Sequence, residues 1–202
     1  MGNVYTDRLL PTLLDRFNHP TSKARGSEYR LKLGEAIMRI IKQCGELAVK
    51  YRHPIISSFA IAARDPDFLV RAASLSNLSE LCRLLQHGIL PIIYEVFTLI
   101  EYHLTYDPEV RVRQSAANLA RTLFTTGDGI SSGLPKWLPP DLIRDIYRIL
   151  SSRHQTERSE EVLEQIEAAL GAIDQQTRHS VFPSDNRVNL VKKLFILNPP
   201  ET

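Results

Sequence analysis

The segment Asp65-Pro66-Asp67-Phe68-Leu69-Val70-Arg71 returns as Asp107-Pro108-Glu109-Val110-Arg111-Val112-Arg113, sharing Asp-Pro-acid-x-x-Val-Arg at an offset of 42 residues. No other feature restricts the fold as much. A recurrence of this length lies within the roughly 40–47 residue period of HEAT-type helical repeats, whose units must stack on neighbours to bury their apolar faces. Local chemistry predicts that each Asp-Pro starts a helix. Aspartate caps free amide groups, proline suits the first helical position, and a following acid complements the positive end of the helix dipole. Beyond these starts, Val70, Ala73, Leu78, Leu81, Cys82 and Leu85, and again Val112, Ala116, Leu119, Ala120 and Leu123, recur at helical steps and predict one buried stripe each.

Arg71 and Arg113 stand six residues beyond their aspartates. The spacing predicts a polar ladder in which Asp65, Arg71, Asp107 and Arg113 cap helices and pair between neighbouring units. Phosphate or ligand binding by these arginines is the competing reading, but structural pairing already accounts for their spacing.

Around this centre the chain reads as helices in pairs. Tyr5 to Phe17 predicts a first helix, His19 to Ser27 a polar linker, and Leu33 to Tyr51 the apolar stripe of a long helix ending near Arg52, with Gly34 and Gly45 permitting close packing or a bend. Pro54 opens an outer helix to Ala63, and His87-Gly88 closes the first Asp-Pro helix. Residues 89–104 are apolar on most sides and predict the best-buried helix of the chain. A long loop carrying the sole tryptophan, Trp137, precedes a last pair at Leu142–Ser151 and Glu160–Arg178. That last helix lacks both Asp-Pro and Val-Arg, so the period ends before it. The fold class is therefore all-α: a HEAT-like α-solenoid of about four stacked helix pairs over residues 1–180, with residues 181–202 as a C-terminal cap. A short apolar helix at the start lacks the polar outer face of a solenoid end, which predicts a C-terminal piece of a longer array.

Charge and composition exclude more than they select. Residues 1–52 carry ten basic and five acidic groups, against fifteen and eighteen in the rest, for a net charge of +2. Such interspersed charge describes solvated helix faces and does not indicate nucleic acid. No apolar run reaches the roughly 18 residues of a membrane span, and the N-terminus lacks a signal peptide. Met1-Gly2 with Thr6 matches a myristoylation signal at too few positions to be read as one. The two cysteines, Cys44 and Cys82, lie on apolar stripes and predict reduced thiols, hence a cytoplasmic or nuclear setting.

The six histidines are scattered, without metal-ligand spacing to cysteine or carboxylate clusters. Gly127 to Gly133 has glycines but no Gly-Lys-Ser/Thr, and no serine stands in Gly-x-Ser-x-Gly. The expectation is a protein with no enzymatic activity and no cofactor or metal. Candidate partner contacts are Trp137, which either anchors a partner as exposed tryptophan does or tucks the long loop onto the adjacent repeats, and Glu160 and Glu164 on the last helix, which form either a solvated face or a strip for a basic partner.

Three blocks carry a family resemblance: Tyr5-Thr-Asp-Arg-Leu-Leu-Pro-Thr-Leu-Leu, Arg30-Leu-Lys-Leu-Gly-Glu-Ala-Ile-Met-Arg-Ile, and Asp65 to Cys82. They occur in the order found in the C-terminal region of the transport and Golgi organization protein 6 family, which includes fungal factors for assembly and nuclear import of RNA polymerase II. The chain resembles that region most over residues 5–124, and more loosely at Ile173-Asp174, Phe182-Pro183 and Lys192-Lys193. The resemblance implies an adaptor that holds RNA polymerase II subunits and assembly or import factors, working in the cytoplasm and shuttling to the nucleus. It also implies an alternative, a structural role in protein secretion and Golgi organisation. No catalytic residue comes with it.

Overall fold

A computed structural model of the chain describes residues 2–126 and 134–173, and every regular element among them is helical. In order these are α1 (Gly2–Asn18), α2 (Pro20–Ala24), α3 (Ser27–Cys44), α4 (Arg52–Ala62), α5 (Phe68–Leu85), α6 (Ile93–Tyr106), α7 (Val110–Thr125), α8 (Pro140–Thr156) and α9 (Glu160–Gly171). Two 3₁₀ segments, Gly45–Tyr51 and Gln86–Ile92, join α3 to α4 and α5 to α6. The segment 181–202, expected to cap the chain, and the loop 127–133 lie outside the described residues.

Several boundaries differ from those the pattern predicts, each for a local reason. The long helix expected to reach Arg52 stops at Cys44, because Gly45 takes a left-handed φ of 54° that an α-helix cannot continue through. The helix expected over 89–104 starts only at Ile93, since Pro91 sits in the preceding 3₁₀ segment and cannot donate an interior helical bond. The Asp-Pro helices start later than their prolines. Asp65 does not cap a helix: α5 begins at Phe68, and the cap is Asp67, whose carboxylate accepts from the Leu69 amide at 2.8 Å. Asp107 likewise precedes the capping position, which Glu109 occupies at the start of α7.

Packing follows sequence order. Helix α3 packs on α5, α5 on α7 and α7 on α9, while α1 packs on α4 and α6 on α8; the pairs α4–α5, α6–α7 and α8–α9 join the two sets. One core runs between them. In α7 the stripe residues Val112, Ala116, Leu119, Ala120 and Leu123 are all fully buried. In α5 the corresponding residues are buried except Ala73, which is half-buried. Helix α6, expected to be the best buried, instead keeps one face in solvent, where Tyr94, Tyr102 and Tyr106 recur at helical spacing. Tyrosine tolerates this because its ring is apolar and its hydroxyl is hydrated. A window within Phe68–Tyr106 has the mean hydropathy of a membrane span, but that stretch is divided among α5, a 3₁₀ segment and α6, and both helices pack on α7.

Polar bonds also cross between helices. Asn18 donates to Ser58 at 2.9 Å between α1 and α4, and Lys42 pairs with Glu80 at 3.1 Å between α3 and α5. Tyr94 donates to Asp141 at 2.7 Å between α6 and α8.

Gly34 marks a close helix approach. A Cβ there would meet the Asn77 side chain at 3.3 Å, Phe59 at 3.6 Å and Phe17 at 3.7 Å, and those two rings already stack edge-on at 5.5 Å. Gly34→Leu should therefore lower stability by about 1–3 kcal/mol through overpacking. Gly34→Ala should be near neutral, because a gain of about 1 kcal/mol in helix propensity offsets the crowding. Urea midpoints of the two variants test this; equal midpoints would refute the close approach.

Candidate functional site

Four turns of the chain stand in equivalent places, each just before a helix of the α3–α5–α7–α9 series, and three ion pairs link them, the first buried and the other two part-buried. Arg30 Nη2 donates to Asp65 Oδ1 at 2.9 Å. Arg71 grips Asp107 in a fork, Nε to Oδ2 at 2.9 Å and Nη2 to Oδ1 at 3.0 Å. Arg113 grips Glu157 the same way, at 2.9 and 3.0 Å. Paired, parallel N–H···O bonds fix both distance and orientation, which a single contact does not.

Each carboxylate also builds its own turn. Asp65 Oδ1 accepts from the Asp67 amide at 2.9 Å, Asp107 Oδ1 from the Glu109 amide at 3.1 Å, and Glu157 Oε1 from the Arg158 and Ser159 amides at 3.0 and 3.1 Å. The arginines close the turns from the other side. Arg71 Nη1 donates to the Asp65 and Pro66 carbonyls, and Arg113 Nη1 to those of Asp107 and Pro108, all within 2.9–3.1 Å. The Asp-Pro pair thus shapes a turn that offers two carbonyls to the arginine of its own unit, while its carboxylate receives the arginine of the unit before.

Two members of the set are absent from the Asp-Pro motif. Arg30 lies 41 residues before Arg71, nearly the repeat offset, but Ala24 stands where an acid would be. Glu157 lies five residues before the buried Val162, as Asp65 lies before Val70 and Asp107 before Val112. Here Leu163 replaces the arginine, so this unit receives a pair and gives none. Alignment on the buried valines would have revealed Glu157, whereas Arg30 follows Tyr29 and only its near-repeat offset from Arg71 points to it; a search for Asp-Pro misses both. The pairing therefore continues to the turn before α9, although neither the motif nor the 42-residue spacing does.

Electrostatics follow from this geometry. The Glu157 carboxyl is lowered to about 2, chiefly by the Arg113 hydrogen bonds, with burial opposing and the Ser159 and Arg158 amides assisting. Asp107 is also lowered: burial pushes it up, but Arg71, the Glu109 amide and His103 together outweigh that. His103 is buried, with Nδ1 3.1 Å from Asp107 Oδ2. Burial depresses its basicity; Asp107 opposes this, and Arg71 and Arg64 add to it. The imidazole is neutral at neutral pH, so its Nδ1–H donates to Asp107.

The candidate contact residues lie elsewhere. Trp137 is half-buried and packs against the core, as Leu134 does. Glu160 and Glu164 are exposed on α9, which Ser159 precedes in the capping position. Glu167 of the same helix pairs with His154 at 3.0 Å. Among the described residues no group of histidine, cysteine and carboxylate side chains could hold a metal ion. The Cys82 thiol is fully buried and pushed far above its ordinary value by desolvation, which leaves it without nucleophilic character.

Comparison with known proteins agrees with the resemblance of the sequence blocks. Residues 1–47 match a family described as required for nuclear transport of RNA pol II, C-terminus 1. Over 150 residues the chain is 26% identical to Transport and Golgi organization protein 6 of Drosophila melanogaster, covering 74% of this chain and 15% of that protein. The chain spans about 15% of the length of that curated relative. No solved structure matches it.

Two predictions follow from the pairs. Arg113→Ala should destabilise by about 2–3 kcal/mol in urea denaturation, less than the roughly 3–5 for a fully buried pair, because Arg153 and two amides still hold Glu157. Glu157 has a lower pKa folded than unfolded, so its contribution is complete above the unfolded value of about 4.3 and is lost as pH falls toward about 2. Unfolding midpoints should drop across that window, and Glu157→Gln should flatten the slope; an unchanged slope would remove Glu157 from the account.

Proposed function

We propose that this chain is a HEAT-like array of helix pairs, without enzymatic activity, that serves as an adaptor in RNA polymerase II assembly and nuclear import. The match of residues 1–47 to the family required for nuclear transport of RNA pol II supports this most directly. The 42-residue recurrence and the pairing of each arginine with the next unit's acid support the array. A row of helices tied at one edge presents a long surface to partners, on which many modest contacts add to specific binding. The expected setting is the cytoplasm, with passage to the nucleus, and the partners are polymerase subunits and assembly or import factors. The name of the fly relative carries the second reading, a structural part in secretion and Golgi organisation.

Affinity purification of the tagged 202-residue chain, washed at moderate salt and read by mass spectrometry, separates the readings. Polymerase subunits with assembly factors are the expected catch. Golgi tethers or coat proteins in their place would turn the assignment to secretion, and no specific protein from a folded sample would overturn the adaptor role for this chain.

A further inference from the structure

A pocket of about 560 Å³ opens between α6 and the turns that precede α5 and α7, with Arg64, Arg71, Tyr102, His103, Tyr106 and Asp107 in its wall. That volume suits two or three side chains of a partner. Its charges can be counted. Asp65 is taken by Arg30, and Asp107 by Arg71, whose three nitrogens are all engaged. Arg64 is left over: it is exposed and makes no salt bridge among the described residues. The rim thus carries one available guanidinium.

Beside it are two rings that the core does not use. Tyr102 and Tyr106 are 54% and 72% exposed, with centroids 5.9 Å apart, and Tyr102 meets the buried His103 edge-on at 5.1 Å. Exposed aromatic pairs of this kind are the usual anchors of protein interfaces. His103 supplies a third requirement. Its Nδ1–H is committed to Asp107, which leaves Nε2 a buried acceptor with no hydrogen-bond partner.

These features select among occupants. Nucleic acid and anionic membranes need several free cations in a row, and here there is one. A phosphate or lipid headgroup would bring more acceptors to a wall whose unsatisfied group is itself an acceptor. A peptide brings a carboxylate for Arg64, an apolar side chain for the tyrosines, and N–H donors.

From this we infer that the pocket is a docking site for an extended partner segment, with an Asp or Glu on Arg64 and a neighbouring Phe, Leu or Tyr against Tyr102 and Tyr106. The inference rests on the adaptor reading and names the kind of segment such an adaptor takes beside the middle pair of the ladder.

The test is selection of random 12-residue peptides by phage display on the full chain, followed by anisotropy titration of the recovered peptides. Recovered sequences should carry an acid within about four residues of an aromatic or leucine, and Arg64→Glu should weaken them at least about tenfold. Tyr106→Ala should weaken them about three- to tenfold. Because the Arg64 side chain makes no structural bond, the thermal melt of Arg64→Glu should match the parent. Peptides without acids, acidic peptides indifferent to Arg64→Glu, or an unenriched library would each overturn the site. So would sedimentation with phosphatidylserine vesicles that Arg64→Glu abolishes, since that assigns the patch to a membrane. Partner capture unaffected by Arg64→Glu would sink the pocket and leave the adaptor reading standing.

Discussion

The structure depends on one interaction made three times: an arginine near the start of one helix holding the carboxylate that shapes the turn before the next helix but one. Apolar packing alone would let neighbouring helices slide along each other, because Ala, Leu and Val offer similar contacts at several registers. A forked pair within 3 Å does not slide. The net stability of such a buried pair is small once desolvation is counted, often close to that of an apolar substitute. Its effect is on geometry: the same carboxylate shapes its own turn, so helix position and helix start are set together.

Among the described residues the pairing stops at two points, each marked by a single residue. The first unit has Arg30 but Ala24 where an acid would receive a pair, and the last has Glu157 but Leu163 where an arginine would give one. Three pairs therefore join four turns without leaving a buried charge unmatched. The offset from Asp107 to Glu157 is longer than from Asp65 to Asp107 because the chain detours through Trp137 before α8. The pair forms across that detour all the same, so spatial register outlasts sequence register.

Much of this was legible in the sequence. Two copies of Asp-Pro-acid-x-x-Val-Arg pointed to helix pairs and to Asp65, Arg71, Asp107 and Arg113, because a capping residue, a stripe and a charge at fixed spacing are local signals. The fault lay in assigning the cap. An aspartate before proline can either cap a helix or form a turn two residues ahead of one, and the chemistry of the two is nearly the same. The Asp67 carboxylate, which reaches the Leu69 amide, decides it. Helix ends failed where a single backbone angle ruled, at Gly45, and where Pro91 broke a run that hydrophobicity alone would extend. The exposed face of α6 failed for another reason: tyrosine counts as apolar in a periodicity, yet it sits at ease in water.

That last failure bears on how the molecule can act. Pairing uses up Arg30, Arg71, Arg113, Asp65, Asp107 and Glu157, and the core uses up the apolar stripes. What a partner can read is the remainder. On α9 the remainder is acidic, with Glu160 and Glu164 exposed and Glu167 already engaged by His154. At the turn before α5 it is a lone cation beside two tyrosines. The two surfaces have opposite sign, one on α9 and the other between α6 and the turn before α5, so a partner meets them with oppositely charged groups. A partner that bridged them would need an acidic stretch and a basic one held apart, and the fixed register of the ladder would set their separation. Rigidity at the edge and selectivity on the faces are thus two results of the same allocation of charge.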